Sequence, residues 1–292
     1  MVKKRPEHGK ILGINIVGTQ LSSVLRQVQV FVANNNKFLI VTPNPEQLVL
    51  AQNDIKYAKI LNSAEISVPD GIGLSAAYKL TNLKVPKSTF LKCVKLIYYG
   101  KLIAFSVMFN RRWLTKDLQI IRGRDLFEEL VRIANKKKWK IYLLGGWDEV
   151  AVKTKKLLEK NYRNVIIKAG TGPLLNDDGT PVNEDEQEIE EKIIKEINSF
   201  IPHLLIVGFR APVQEKWLDK NKSKLDVIGS MVVGGAFNYL SEKYKSPPQW
   251  VANAGLEWLW RLLTGSQRLS RIINAVIIFP YRVFQFKLRD QI

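Results

Sequence analysis

The sequence predicts a layered α/β protein, and three observations carry that reading. Short apolar runs of strand length alternate with stretches whose apolar residues recur at helical spacing. Most of these runs end at glycine, proline or a polar residue. The alternation also recurs in both halves of the 292-residue chain, as expected for a sheet whose strands are linked through covering helices.

Residues 11–17 read as a short strand. Residues 22–31 read as a helix, with Leu21, Val24, Leu25, Val28 and Phe31 on one side. The next strand is expected over residues 38–42. Pro43 and Pro45 bar an ordinary helix interior before Glu46, so the following helix is placed at residues 47–61. A strand over 64–68 leads to Asp70-Gly71-Ile72-Gly73, whose glycines permit a close approach of backbone to a ligand or a neighbouring helix. Residues 38–73 thus bring two strand ends, each followed by polar residues, to one edge of a parallel sheet. In open α/β sheets that edge is where ligands bind.

The stretch from Leu80 to Gln119 has a different character, because lysines are mixed there with large aliphatic and aromatic residues up to Arg111-Arg112-Trp113. Two readings compete for it: a helical subdomain packed on the sheet, or a lid or interfacial element whose Lys and Arg reach toward headgroups. The α/β series then resumes. Helices are expected over 125–135, 150–160 and 184–200, and strands over 139–144, 164–168, 203–207 and 226–233. The third of these helices carries Ile189, Ile193, Ile194 and Ile197 as its packing stripe, and Asn176-Asp177-Asp178-Gly179 reads as a turn. Pro247-Pro248 breaks the next element. From there the chain is rich in Leu, Trp and Arg, with a helix over 253–263 and an apolar, basic stretch over 267–288. This tail reads either as a cationic element for an anionic membrane or as a helix docked on its own domain or another subunit. The boundaries that follow are 1–79 and 120–245 for the two parts of the core, 80–119 for an insertion, and 246–292 for a C-terminal helical appendage.

Forty-five basic against 27 acidic residues give a net charge of +18, which favours a polyanionic partner: nucleic acid, anionic lipid or a phosphate-bearing substrate. The single Cys93 excludes an internal disulfide and a cysteine zinc site, and His8 and His203 are too few for a histidine cluster, which leaves only a metal held by carboxylates open. No apolar run reaches the length of a membrane span, and residues 11–17 are too short for a secretory signal. A cytosolic compartment fits this pattern. No zinc finger, KH-type loop or RNP-like aromatic pattern occurs, so a nucleic-acid partner is not expected.

Asp70 is the best single candidate for chemistry, since a carboxylate at a strand end can accept a proton from a substrate hydroxyl or hold a sugar hydroxyl. A turn or helix-capping Asp is the competing reading. Asn44 and Glu46 suit sugar hydroxyls, and Thr42 suits a hydroxyl or phosphate. Gly145-Gly146 and Gly234-Gly235 stand at strand ends, where backbone N–H groups can cradle phosphate, although no dinucleotide fingerprint or Walker A sequence is present. Arg210 is a candidate for neutralising a diphosphate, with Gln214 and Glu215 holding a nucleoside or sugar hydroxyl at the start of the next helix. No organic cofactor is implied.

Six ordered segments resemble the WecG/TagA/CpsF family of glycosyltransferases: Thr42-Pro43-Asn44-Pro45-Glu46, Pro69 to Gly73, Arg122 to Leu126, Leu143 to Gly146, Pro212 to Trp217 and Gly255 to Leu262. The resemblance runs from about residue 11 to about residue 275. It implies a Rossmann-like core with helices on both faces, and an inverting, metal-independent transferase. That transferase moves a sugar, often of N-acetylmannosamine type, from a UDP-sugar to a polyprenyl-diphosphate-linked acceptor. It also implies a peripheral location on the cytoplasmic membrane face, with the C-terminal appendage assisting membrane association and completing the site. By the same resemblance Asp70 is the base and Thr42 and Asn44 line the pocket, while Arg261, Arg268 and Arg271 are candidates for engaging diphosphate; Gly71 and Gly73 are candidate substrate contacts through their backbone.

The chain departs from the family pattern in the 80–119 stretch, at Phe237-Asn238 where Phe-Asp is common, and at Ser246-Pro247-Pro248 where Arg-Ala-Pro is common. Against the transferase stand two other readings: a nucleotide- or nucleic-acid-binding protein without turnover, and a degenerate membrane scaffold. The sequence does not choose between a monomer and a homo-oligomer.

Overall fold

The structure is a computed structural model, and it describes residues 8–145, 149–241, 247–248, 251, 257–265 and 269–289. Its centre is an all-parallel sheet of β3 (Phe38–Val41), β4 (Ile66–Ser67), β5 (Lys140–Leu144), β6 (Ile166–Gly170), β7 (Leu204–Val207) and β8 (Gly229–Val232), in the order β4-β3-β8-β7-β5-β6. Every adjacent pair is parallel. The helix after β5 leads outward to β6, whereas the helix after β7 leads the opposite way to β8. Connections that diverge in this manner open a crevice at the carboxyl ends of the strands.

Alternation along the strands builds two cores. Val41, Tyr142, Leu144, Leu205, Val207 and Val232 enter the core on one face, and Phe38, Ile40, Ile141, Leu143, Leu204, Ile206 and Met231 enter the core on the other. Because both faces are covered, the inner strands β3 and β7 and most of β5 read as continuous apolar runs. The second face is covered by α1 (Leu21–Ala33), α7 (Gly123–Lys137) and α8 (Val150–Asn161). The first is covered mainly by α2 (Pro45–Asn53), α3 (Ile55–Ser63), α4 (Ile72–Thr81), α9 (Glu184–Phe200) and α10 (Val213–Asn221). The layered sheet with helices on both faces is therefore the observed fold.

Three local expectations change. The strand expected over 11–17 is the second half of a hairpin, β1 (His8–Ile11) and β2 (Ile14–Val17), turned at Leu12 and Gly13, whose φ values are 49° and 78°. An apolar Leu12 in the left-handed region hid the turn. The single helix expected over 47–61 is two, because Asp54 ends α2 and its Oδ1 accepts from the Tyr57 N–H at 2.9 Å to start α3. Pro45 also sits in the first turn of α2, where its missing N–H costs nothing. Finally, α9 turns Glu190 inward. Its Oε1 accepts from Trp217 Nε1 at 2.7 Å and Asn221 Nδ2 at 3.1 Å, while Ile189 is pushed partly outside.

The 80–119 stretch is a 21-residue helix, α5 (Thr89–Phe109), followed by the short α6 (Arg111–Thr115). It packs against α4 and the C-terminal helix Phe279–Arg289. That terminal helix inserts Phe279 and Val283 into the first core, so the tail docks on its own domain. No helix of the described residues is long and apolar enough to cross a membrane.

Candidate active site

The polar ends of β3 and β4 meet at the carboxyl edge of the sheet, as the sequence predicts. Asp70 N–H donates to the Pro43 carbonyl at 2.9 Å, which ties the Asp70–Gly73 loop to the Thr42–Glu46 loop. Gly73 lies so close to Pro45 that an added Cβ would fall 2.8 Å from its Cγ, and Gly71 has a φ of 104°. A side chain at either position would open this junction.

The Asp70 carboxylate is held from a third direction. Its Oδ2 accepts from the Gly123 N–H, at the start of α7, at 3.1 Å. A Cβ on Gly123 would sit 2.9 Å from Thr42 Oγ1, so Thr42, Asp70 and the start of α7 share one small space. A helix N-terminus suits a carboxylate, because its N–H groups and dipole both favour negative charge. The same arrangement suits anionic oxygen on a ligand. Sequence reasoning quoted Gly123 within a motif but passed over it as a site residue. Its signal was a glycine in the first turn of a strongly amphipathic helix, two residues before an acidic one.

Asn44 caps α2. Its Oδ1 accepts from the Gln47 N–H and its own N–H donates to Gln47 Oε1, both at 3.0 Å. The Asn44 oxygen is thus engaged in fixing the loop. Glu46 accepts from Arg271 Nε at 2.6 Å and is 7% exposed, so two residues singled out for substrate contact neutralise one another across 225 positions of sequence. This ion pair fastens the C-terminal segment beside the Asp70 loop.

A second polar group lies behind Asn44. Gln214 and Glu215, expected to hold hydroxyls, are buried at 1% and 0% exposure. Gln214 Oε1 accepts from the Gly234 N–H at 3.0 Å, and Glu215 Oε1 accepts from Gln214 Nε2 at 3.0 Å and Gln47 Nε2 at 3.4 Å. Glu215 Oε2 has no hydrogen-bond partner among the described residues. Burial raises the Glu215 carboxyl to about 7, against the opposing influence of Gln214, Tyr57 and Lys216. The Tyr57 hydroxyl is pushed well above its ordinary value by burial and by the facing Glu215. Through Gln47 and Gln214 this group links the Asn44 cap to the β8 end. Gln47 is the member that sequence reasoning missed.

The remaining expected residues are dispersed. Arg210 is exposed and pairs with Asp177 at 2.5 Å. The Gly145 N–H donates to the Gly170 carbonyl at 2.9 Å, and a Cβ there would strike the Phe209 ring at 2.7 Å, so this glycine packs an aromatic ring and its N–H is not available to a phosphate. Gly234 likewise spends its N–H on Gln214, and Gly235 lies beside Asn238. Gly146, Ser246 and Arg268 lie outside the described residues, and Arg261 belongs to the helix Glu257–Leu263 without a described side chain. Among the described residues no group of three or more His, Cys, Asp or Glu is placed to hold a metal ion. Two clefts of the described residues, about 260 Å³ beside Arg282 and Arg289 and about 510 Å³ beside Trp139 and His203, do not include the Asp70 loop.

A family model described as glycosyl transferase WecG/TagA/CpsF family matches residues 9–95 and 104–292. The break at 96–103 falls within α5. The chain is also similar to curated proteins of Staphylococcus aureus. One from strain NCTC 8325 and one from strain MRSA252 are each 25% identical over 279 residues, covering 95% of this chain and 92% of the relative. Both are called N-acetylglucosaminyldiphosphoundecaprenol N-acetyl-beta-D-mannosaminyltransferase.

Proposed function

The chain belongs to the WecG/TagA/CpsF glycosyltransferase family, and from that premise we propose that it moves a sugar of N-acetylmannosamine type from a UDP-sugar to a polyprenyl-diphosphate-linked acceptor sugar. The observation that carries the reading is the Asp70 carboxylate, oriented by the Gly123 N–H beside Thr42 at the carboxyl edge of the sheet. The names of the Staphylococcus aureus relatives support the choice of sugar and acceptor. The product would enter cell-surface polysaccharide.

In the proposed reaction an acceptor hydroxyl oxygen attacks the anomeric carbon of the donor. The bond from that carbon to the β-phosphate oxygen breaks, the hydroxyl proton passes to the Asp70 carboxylate, and UDP departs with inverted configuration left behind. Charge on the departing diphosphate would be met by N–H groups at helix starts and by arginines, without an essential metal. Thr42 contacts a substrate hydroxyl or phosphate, and the Gln47–Glu215–Gln214 group keeps the Asn44 and Gly234 loops in register. Since the acceptor is a lipid, the enzyme works as a peripheral protein on the cytoplasmic face of the membrane, assisted by its basic tail.

The test is release of UDP from a panel of UDP-sugars in EDTA, with and without a short-chain polyprenyl-diphosphate-linked N-acetylglucosamine. Acceptor-dependent release from one donor is expected. Release that ignores the acceptor, or none from a folded protein that is nevertheless stabilised by UDP, would overturn the proposal.

A further inference from the structure

Helix α5 carries apolar residues on both of its faces, with Leu96 and Ile103 in the first core. Toward the protein it buries Lys92, Leu96, Ile103 and Ser106, two of them polar. Toward the outside it presents Phe90, Leu91, Val94, Ile97, Tyr98, Leu102, Phe105, Met108 and Phe109, from 37% exposed at Leu102 to 75% at Phe90. Their spacing repeats every three or four residues, so they form one stripe along a helix of 21 residues. An ordinary surface helix keeps its outer face polar. Large side chains such as these, contiguous and in water, mark a surface meant to be covered.

The charge around the stripe specifies what covers it. Between Asp70 and Asp117 there are nine lysines and arginines and no acidic residue. Of these Lys87, Lys101 and Arg112 are exposed near the start, middle and far end of α5. A second copy of the same face would bring positive charge against positive charge. An anionic lipid surface is complementary to it instead, accepting the apolar stripe among acyl chains and the ammonium and guanidinium groups among headgroups. The terminal helix packed on α5 also exposes Tyr281 and Phe286. A basic flank without an apolar stripe would have suited nucleic acid equally well; the protruding Phe, Leu and Met side chains favour lipid.

We propose that α5 is an interfacial membrane-docking helix, lying in the plane of an anionic bilayer with the Phe90-to-Phe109 stripe immersed. This goes beyond the transfer reaction, since it names the element that meets the lipid. It needs no transmembrane span, and none of the described helices provides one.

The experiment is flotation of the full chain with phosphatidylglycerol/phosphatidylcholine vesicles and with phosphatidylcholine alone, repeated for the triple variant F90S/F105S/F109S. Wild type is expected to float with the anionic vesicles. The triple variant is expected to lose at least about tenfold in partitioning while its circular dichroism and its activity on a short-chain acceptor stay unchanged. A second measurement places an environment-sensitive dye at position 98 in a C93S/Y98C chain, and its emission is expected to shift to the blue on anionic vesicles. Flotation equal to wild type in the triple variant, absence of wild-type flotation, or a dye that stays in water while the protein is bound would overturn the proposal. So would a wild-type dimer in solution that the triple variant abolishes, which would make the stripe a contact between copies. Activity on the short-chain acceptor reports the transfer reaction separately from docking.

Discussion

Helices α5 and α7 are built on opposite plans. Helix α7 buries Leu126, Phe127, Leu130, Val131 and Ala134 in the second core and turns Asp125, Glu128, Arg132 and Lys136 to solvent, while the Gly123 N–H at its start holds the Asp70 carboxylate. Helix α5 buries a lysine and a serine and turns aromatic rings outward. The difference teaches that the chain divides its apolar residues between two environments. Those of α7 stabilise the fold and through it the site; those on the outer stripe of α5 contribute little to the fold.

The largest test of that division is Leu130→Ala, which removes side-chain atoms from a position of 0% exposure and is expected to destabilise the protein by about 2–5 kcal/mol in urea unfolding. A loss below 1 kcal/mol would mean that α7 is not the core helix described.

Glu215 on α10 sharpens the contrast, because the core also buries a carboxyl. Its folded value of about 7 lies above the ordinary 4.5, so the stability it contributes is present in full below about pH 4.5 and is lost as pH rises through about 7. At 1.36 kcal/mol per unit the decline is about 3 kcal/mol. Glu215→Gln is expected to flatten the stability profile across that window, as followed by urea unfolding at successive pH values. A variant profile parallel to wild type would remove Glu215 from the account.

The expectation for Gly123→Ala is smaller and concerns the site. The new Cβ meets Thr42 at 2.9 Å in the space that orders Asp70, and kcat is expected to fall by about ten- to a hundredfold with UDP binding retained. An unchanged kcat would separate the start of α7 from the chemistry. Smallest of all, Phe90→Ser on α5 is expected to change stability in water by no more than about 0.5 kcal/mol, since its ring is 75% exposed. A loss as large as that of Leu130→Ala would erase the distinction between the two helices.

The strands and the Asp70 edge were legible because their signals are local. Runs such as Leu204 to Val207 are apolar throughout, and Asp70-Gly71 follows the short Ile66–Ser67 strand after Val68 and Pro69. What escaped was set by distant contacts or by single residues against type. Leu12 turns the hairpin from the left-handed region, where an apolar residue is not expected. The Arg271–Glu46 pair joins residues too far apart in sequence for any pattern to announce. Gln214 and Glu215 looked like ligand contacts because they begin a helix after a strand; only the approach of Gln47 and Gly234 shows them as an internal group. The periodicity of α5 was present in the sequence, but the face it turns to the protein depends on what α4 and the terminal helix offer.

The most direct test of the central claim is the transfer rate of Asp70→Asn, measured beside its affinity for UDP. The account predicts a fall in kcat of about a hundredfold or more, since a positioned base is lost, with UDP affinity and thermal stability close to wild type. Full activity in a variant that still binds UDP would contradict the assignment of Asp70 as the base and, with it, the reading of the Thr42–Asp70–Gly123 junction as the place where the proton is taken.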